Sequence, residues 1–275
     1  MKPAGAQVTA GPLSDLRSAL DRLTRPPLMG VAAALLLALL LMVVGAHLLR
    51  LQPPSHGNIQ VGTGDFLAFW TGAVALHGGA GASLYDLAAQ RELQARILGG
   101  VSPEFQPYLN PPLLAILLSP LVPLGYLPAF GLYDLACVVL LALGIALLLR
   151  VVPALGATAA HAWTLVFLVA GYQPVLQTTL GGQNTPITFA LLSAFTLAWQ
   201  RGSKRWAAVA LGALSYKPQY AVGVAAALLI AGHWRVAMAG AAAGLCQWPL
   251  GAWWSGFGWP LDMLEFMRSY TSAHK

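Results

Sequence analysis

Long apolar runs broken by short polar turns set the pattern of this chain. Residues 28–49 (LMGVAAALLLALLLMVVGAHLL) follow a polar stretch, 1–27, that carries Lys2, Arg17, Arg22 and Arg25. About 20 apolar residues cross a hydrocarbon core, so this run predicts a membrane span. It exceeds the roughly 7–15 residues of a signal-peptide core, which predicts retention rather than cleavage. Further spans are predicted at about 126–150, 160–180, 186–200, 206–216 continuing past a break into 219–232, and 236–254. If the break at Lys217-Pro218 is a turn, the crossings number about seven.

Between the first two runs lies a polar segment, 50–109. Within it Phe66–Leu76 and Leu87–Leu98 read as short amphipathic helices separated by Gly78, Gly79 and Gly81. Residues 110–124 (NPPLLAILLSPLVPL) are apolar, short and punctuated by Pro111, Pro112, Pro120 and Pro123. Each proline removes a backbone donor, and a span so interrupted leaves carbonyls unpaired in lipid. The stretch therefore predicts a helix at, or dipping into, the outer interface.

Composition agrees with this pattern: 57% of the 275 residues are apolar and 9% charged, against about 25% charged in soluble domains. The net charge of +6 is not a nucleic-acid signature, because no basic run carries interleaved aromatics. The basic residues instead flank apolar runs and orient the chain. With 1–27 as a cytoplasmic tail, Arg150, Arg201, Lys204, Arg205 and Arg235 fall on cytoplasmic turns. Of the nine carboxylates, Asp15 and Asp21 are in the tail and Asp134 is in a span. Asp65, Asp86, Glu92, Glu104, Asp262 and Glu265 all face outward. Residues 28–275 then form one transmembrane domain with an external loop, 50–109, and any chemistry faces the extracytoplasmic side of a multi-pass protein in a bacterial plasma membrane.

Four motifs carry candidate chemistry. Gly62-Thr63-Gly64-Asp65 opens a helix; Asp65 reads as a helix cap or as a surface-held general base. In Tyr108-Leu109-Asn110-Pro111-Pro112 the prolines read as a helix start, and Tyr108 and Asn110 as candidates for lining a sugar site. Gly181-Gly182-Gln183-Asn184 reads as a tight turn, or as amides holding a hydroxyl or phosphate oxygen. Tyr216-Lys217-Pro218-Gln219 interrupts an apolar stretch. A lysine at membrane depth costs about 2.5–3.5 kcal/mol on insertion scales. Lys217 therefore reads as a snorkelling lysine or, better, as a cation for a lipid phosphate beside a broken helix.

The remaining features point to structure. Asp134, with Tyr133, is expected to pair with a neighbouring donor. His47 and His161 stand alone, and Cys137 and Cys246 lie in apolar runs without ligand or disulfide spacing. Trp248, Trp253, Trp254 and Trp259 read as an interfacial belt. No metal-binding, nucleotide-binding or cofactor motif is present. No metal and no cofactor are expected.

The ordered set GDFLAFWTGAVAL (64–76), SLYD (83–86), YLNPPLLAILLSPL (108–121), GGQN (181–184) and ALGALSYKPQ (210–219) resembles glycosyltransferase family 87. A weaker echo runs over Gly256–Met263. The resemblance implies an all-α, polytopic GT-C-like helical bundle with short juxtamembrane helices in the first external loop. It implies a polyprenyl-phosphate hexose donor, typically mannose, and a glycolipid or glycan acceptor. Transfer would occur with inversion at the outer membrane face. By resemblance Asp65 is the catalytic carboxylate that deprotonates the acceptor, and Lys217 meets the donor phosphate. Gln183, Asn184, Tyr108, Asn110 and Tyr85 of the SLYD stretch complete the donor-binding set. Family members usually carry several more spans, so this chain corresponds to the conserved half, with a second chain as a candidate source of the rest. A transporter or flippase of lipid-linked or small solutes, and a non-catalytic half of a split enzyme, are the competing readings.

Overall fold

The computed structural model describes residues 64–100, 105–153, 178 and 181–273. The tail, the 28–49 run, His47, Glu104, His161 and nearly all of the 160–180 run lie outside the described residues. Those described are helical, with no strand among them.

The first helix, α1 (Asp65–His77), falls where one is expected, but it is not amphipathic. Ten of its thirteen residues are buried. Its sequence is apolar all round, and such a helix needs partners on every side. They are supplied by α2 (Leu87–Leu98), by α3 (Leu113–Leu118) with the 3-10 turn Ser119–Leu124 that prolongs it, and by the start of α4 (Tyr126–Val151). The proline-punctuated stretch thus folds as two short helical pieces packed on α1. Phe66 anchors the junction, its ring 4.9–5.2 Å from those of Tyr126, Phe130 and Tyr133.

The 26 residues of α4 extend about 39 Å at 1.5 Å per residue. It is the one described helix long and apolar enough to cross a membrane. The expected spans at 186–200, 206–232 and 236–254 appear as shorter helices: α5 (Thr185–Gln200), α6 (Lys204–Ala213), α7 (Pro218–Ile230) and α8 (Trp234–Leu245). The 236–254 run breaks after Leu245, and α9 (Gln247–Ser255) follows. Pro249 explains the break, because its ring opposes the carbonyl four residues earlier, on Leu245. The last helix, α10 (Trp259–Ala273), returns onto the α1–α3 region.

Contacts along the helices fix their directions. Gly144 packs on Phe189 and Ala190, and Gln200 Nε2 donates to Val151 O, so α4 and α5 run parallel. Leu211 lies against Gly240, Gly212 against Ala243, and Ser215 against Gly244, so α6 and α8 are parallel and in close contact. Small residues permit that approach. α7 runs back from the end of α6 to the start of α8, so the break at Lys217-Pro218 is a turn, and Lys217 lies outside both flanking helices. Arg150, Arg201, Lys204, Arg205 and Arg235 all fall at one end of this bundle. Asn184, Tyr216 and Lys217 fall at the other, about 24 Å away along the 16 residues of α5.

Near this second end a cap forms from α2, the 105–112 loop and α10. Trp259 is 7% exposed there and donates from Nε1 to Trp248 O at 3.2 Å, whereas Trp253 is 85% exposed. The expected tryptophan belt therefore divides: Trp248, Trp253 and Trp254 are on the surface, and Trp259 is core, drawn in by the α9–α10 turn.

Candidate functional site

Three motifs far apart in sequence meet at the end opposite the basic turns. The first contact is backbone on backbone. A Cβ on Gly64 would lie 2.4 Å from Gly181 Cα, and one on Gly182 would lie 2.4 Å from Phe66 Cβ. Gly182 also has φ +69°, in the left-handed region that favours glycine. Only glycines let the start of α1 and the turn before α5 approach this closely. The contact sets Asp65 beside Gln183 and Asn184 in the chain's path.

The second contact joins that turn to the lysine. The Tyr216 hydroxyl donates to Asn184 O at 3.0 Å and lies 2.6 Å from Thr188 Oγ1. Tyr216 closes the 3-10 turn Leu214–Tyr216, and the Lys217 N–H donates to Leu214 O at 2.9 Å. Pro218 then begins α7, a position where its missing N–H and fixed φ suit a helix. Lys217 Nζ stands 5.9 Å from the centre of the Tyr220 ring.

Asp65 and Lys217 are thereby brought within electrostatic range. Both are about half-buried. Burial raises the Asp65 carboxyl above its usual range, an effect that the Lys217 charge partly offsets. Burial likewise lowers the Lys217 ammonium, and Asp65 partly offsets that. Desolvation outweighs attraction for each group, as expected for charges held apart in a partly dry site. Asp65 is the first residue of α1 rather than its cap. The cap is Gly64, which makes no side-chain bond. A carboxylate there gains from the helix dipole.

Asn184 is 0% exposed, and both atoms of its amide lack a hydrogen-bond partner among the described residues. It precedes α5 without capping it; Pro186 has removed one of the N–H groups a cap accepts from. Gln183 is partly exposed and accepts only a long contact, 3.5 Å, from Thr185 Oγ1. The Tyr133 hydroxyl, next to the Cys137 thiol, lies in the same layer, within electrostatic range of Asp65 and Tyr216. Asp134 Oδ1 is buried and meets no donor among the described residues. No group of three or more His, Cys, Asp or Glu that could hold a metal ion is gathered among the described residues.

The other predicted site residues lie in the cap. Tyr108 is 0% exposed; its hydroxyl donates to Pro111 O at 2.6 Å and accepts from Ala115 N at 3.3 Å. The Tyr85 hydroxyl donates to Asn110 O at 2.8 Å. The Tyr85 and Tyr108 hydroxyls thus fasten the 105–112 loop, Asn110 taking part through its backbone carbonyl. Sequence reasoning did not single out Thr188 or the Gly64–Gly181 contact. Paired glycines in two motifs were the available signal for that contact; Thr188 gave none.

Next to the Lys217 turn opens an apolar groove of about 490 Å³, lined from α6 to α10 by residues such as Pro218, Val222, Leu245, Trp248 and Met263. Ser215 and Gln247 are its polar members.

No curated protein and no solved structure matches this chain. The family model of glycosyltransferase family 87 matches residues 108–272, more than half the chain. The matched stretch contains the 108–121, GGQN and SYKP motifs and leaves Asp65 outside. Its motifs build the joint that carries Asn184, Tyr216 and Lys217, and the chain belongs to glycosyltransferase family 87.

Proposed function

We infer that the chemistry is transfer of a sugar from a donor to an acceptor, as membership of the family implies. We propose that the donor is a polyprenyl-phosphate hexose, with mannose the first sugar to test, and that the acceptor is a hydroxyl of a glycolipid or glycan. In this reading Asp65 takes the proton of the acceptor hydroxyl as its oxygen bonds to the anomeric carbon. The bond from that carbon to the phosphate oxygen breaks on the opposite face, which inverts the centre. Polyprenyl phosphate departs with the bonding electrons, and Lys217 neutralises its charge. Gln183 and Asn184 supply hydrogen bonds to sugar hydroxyls, and Tyr85, Tyr108 and Asn110 hold the wall behind them.

One observation carries the proposal: a half-buried carboxylate and a half-buried ammonium, on separate motifs, share one electrostatic neighbourhood. The groove beside Lys217 supports a lipid donor, because an isoprenoid needs apolar walls next to a cationic head site. A seven-crossing arrangement with the site on the extracytoplasmic face of the cell membrane belongs to the same reading. It is supported by five basic residues at the far end of the bundle.

The test is transfer from polyprenyl-phosphate mannose by the full chain in nanodiscs, compared with Asp65→Asn. Loss of the base should lower turnover by about 10²–10⁴-fold. Equal turnover in the two proteins removes Asp65 from the mechanism. A wild-type chain that is inert until a second chain is added is half of a split enzyme.

A further inference from the structure

The turn that carries Lys217 is held from two sides. Tyr216 fastens it to the Asn184 turn on the side of the site. On the groove side the fastening runs through Ser215 and Gln247. Gln247 Nε2 donates to Ser215 Oγ at 2.7 Å and to Gly212 O at 3.1 Å, and Ser215 Oγ donates to Gly212 O at 2.6 Å. The network fixes the amide's orientation. The serine hydrogen goes to Gly212 O, so the serine oxygen receives one amide hydrogen, and the second joins Gly212 O.

Gln247 Oε1 is then left buried and without a partner among the described residues. For stability alone this is a poor arrangement, since an unpaired buried acceptor loses its hydration without return. A methionine of similar length could fill the same volume in an apolar groove. It would leave Ser215 bonded to Gly212 and no amide oxygen stranded. What the amide adds is a fixed link from the first residue of α9 to the residue two before Lys217. Gly244 brings α8 close enough for that link, since a Cβ there would lie 2.9 Å from Ser215 Oγ.

We propose that Gln247 is a positioning residue for Lys217, acting through Ser215 and the 3-10 turn, so that the ammonium meets an anionic headgroup whose chain occupies the groove. The inference rests on Lys217 binding the donor phosphate. It adds that the α8–α9 junction, through Gln247, sets where that charge stands.

The test is a double-mutant cycle on binding of sugar-free polyprenyl phosphate by the full chain in nanodiscs, with wild type, Gln247→Met, Lys217→Met and the double variant. Gln247→Met should weaken binding about tenfold when Lys217 is present and less than about twofold when it is absent. Ser215→Ala should give the same pattern, which keeps the test decisive if Gln247→Met folds poorly. Equal weakening in both backgrounds means a structural role alone and overturns the proposal, as does no weakening at all. If Lys217→Met binds the probe as wild type does, the phosphate reading of Lys217 falls first and this inference with it.

Discussion

In the cap, buried amides and hydroxyls are nearly all engaged; in the layer around Asp65 several are not. Gln90 receives the Tyr108 N–H at 2.8 Å and donates to Leu84 O at 2.7 Å, and Gln94 pairs with both the N–H and the carbonyl of Gln106. One helix face thereby fixes an irregular loop by imitating a missing strand. Outside the cap, both polar atoms of the Asn184 amide and Asp134 Oδ1 are buried and unmatched among the described residues. Each such atom costs about 1–3 kcal/mol. Both regions bury polar groups; those of the cap are bonded within the protein, and in the proposed mechanism the unmatched ones near Asp65 are where substrate would be held.

The largest effect should come from damaging the satisfied region. Gln90→Leu strands the Tyr108 N–H and the Leu84 carbonyl, and should cost about 3 kcal/mol of stability. Transfer per folded molecule should stay within about twofold of wild type. Denaturant unfolding together with activity normalised to folded protein measures both. A fall in normalised activity as large as the fall in stability would erase the contrast.

Second in size is the joint between the regions. Gly64→Ala places a methyl against the Gly181 backbone, and overpacking of this kind costs about 1–3 kcal/mol. Backbone cannot step aside as a long side chain can, so the α1 start and the Gly181 turn should separate. Stability and transfer should fall together, whereas Gly100→Ala, which meets open space, should alter neither.

A smaller effect on stability, with the reverse balance, is expected at Asn184. Asn184→Leu removes two unmatched atoms and no cap bond, so the free energy of unfolding should be unchanged or rise by about 1 kcal/mol. Transfer should nevertheless fall about 10- to 100-fold if the amide holds a sugar hydroxyl. Unchanged transfer would assign the amide to something other than substrate.

Some of this is legible in the sequence. The motifs lie on the elements expected for them, since Pro218 and the Gly181-Gly182 pair punctuate the chain strongly. The full burial of α1 was also legible in principle, because GDFLAFWTGAVAL offers no polar face. Gln90 and Gln94 were not: glutamines on an amphipathic helix read as a solvated surface until a distant loop is seen to lie on them. Nor was the α8–α9 break read, although Pro249 signalled it, because an apolar run masks a proline when hydropathy is averaged. Asp65 stood out through its motif; its electrostatic coupling to Lys217, some 150 residues away in the chain, is encoded by no local pattern.

That partnership gives the finest test, since pH reads the two half-buried charges directly. In the proposed mechanism Asp65 acts ionised, as base, and burial raises its pKa. Activity should therefore fall on acidification at a pH above the ordinary aspartate range. Lys217 must be charged to meet the phosphate, and burial lowers its pKa, so the alkaline limb should come before that of an exposed lysine. The result is a bell whose two limbs belong to the pair. Because Lys217 lowers the Asp65 pKa, Lys217→Met should shift the carboxylate's titration further upward, as followed by difference infrared spectroscopy even if turnover is lost. Gln90→Leu, in the cap, should leave that titration in place. A carboxylate that ignores the loss of Lys217 would mean that the two charges do not share a site, and the contrast between scaffold and site would lose its centre.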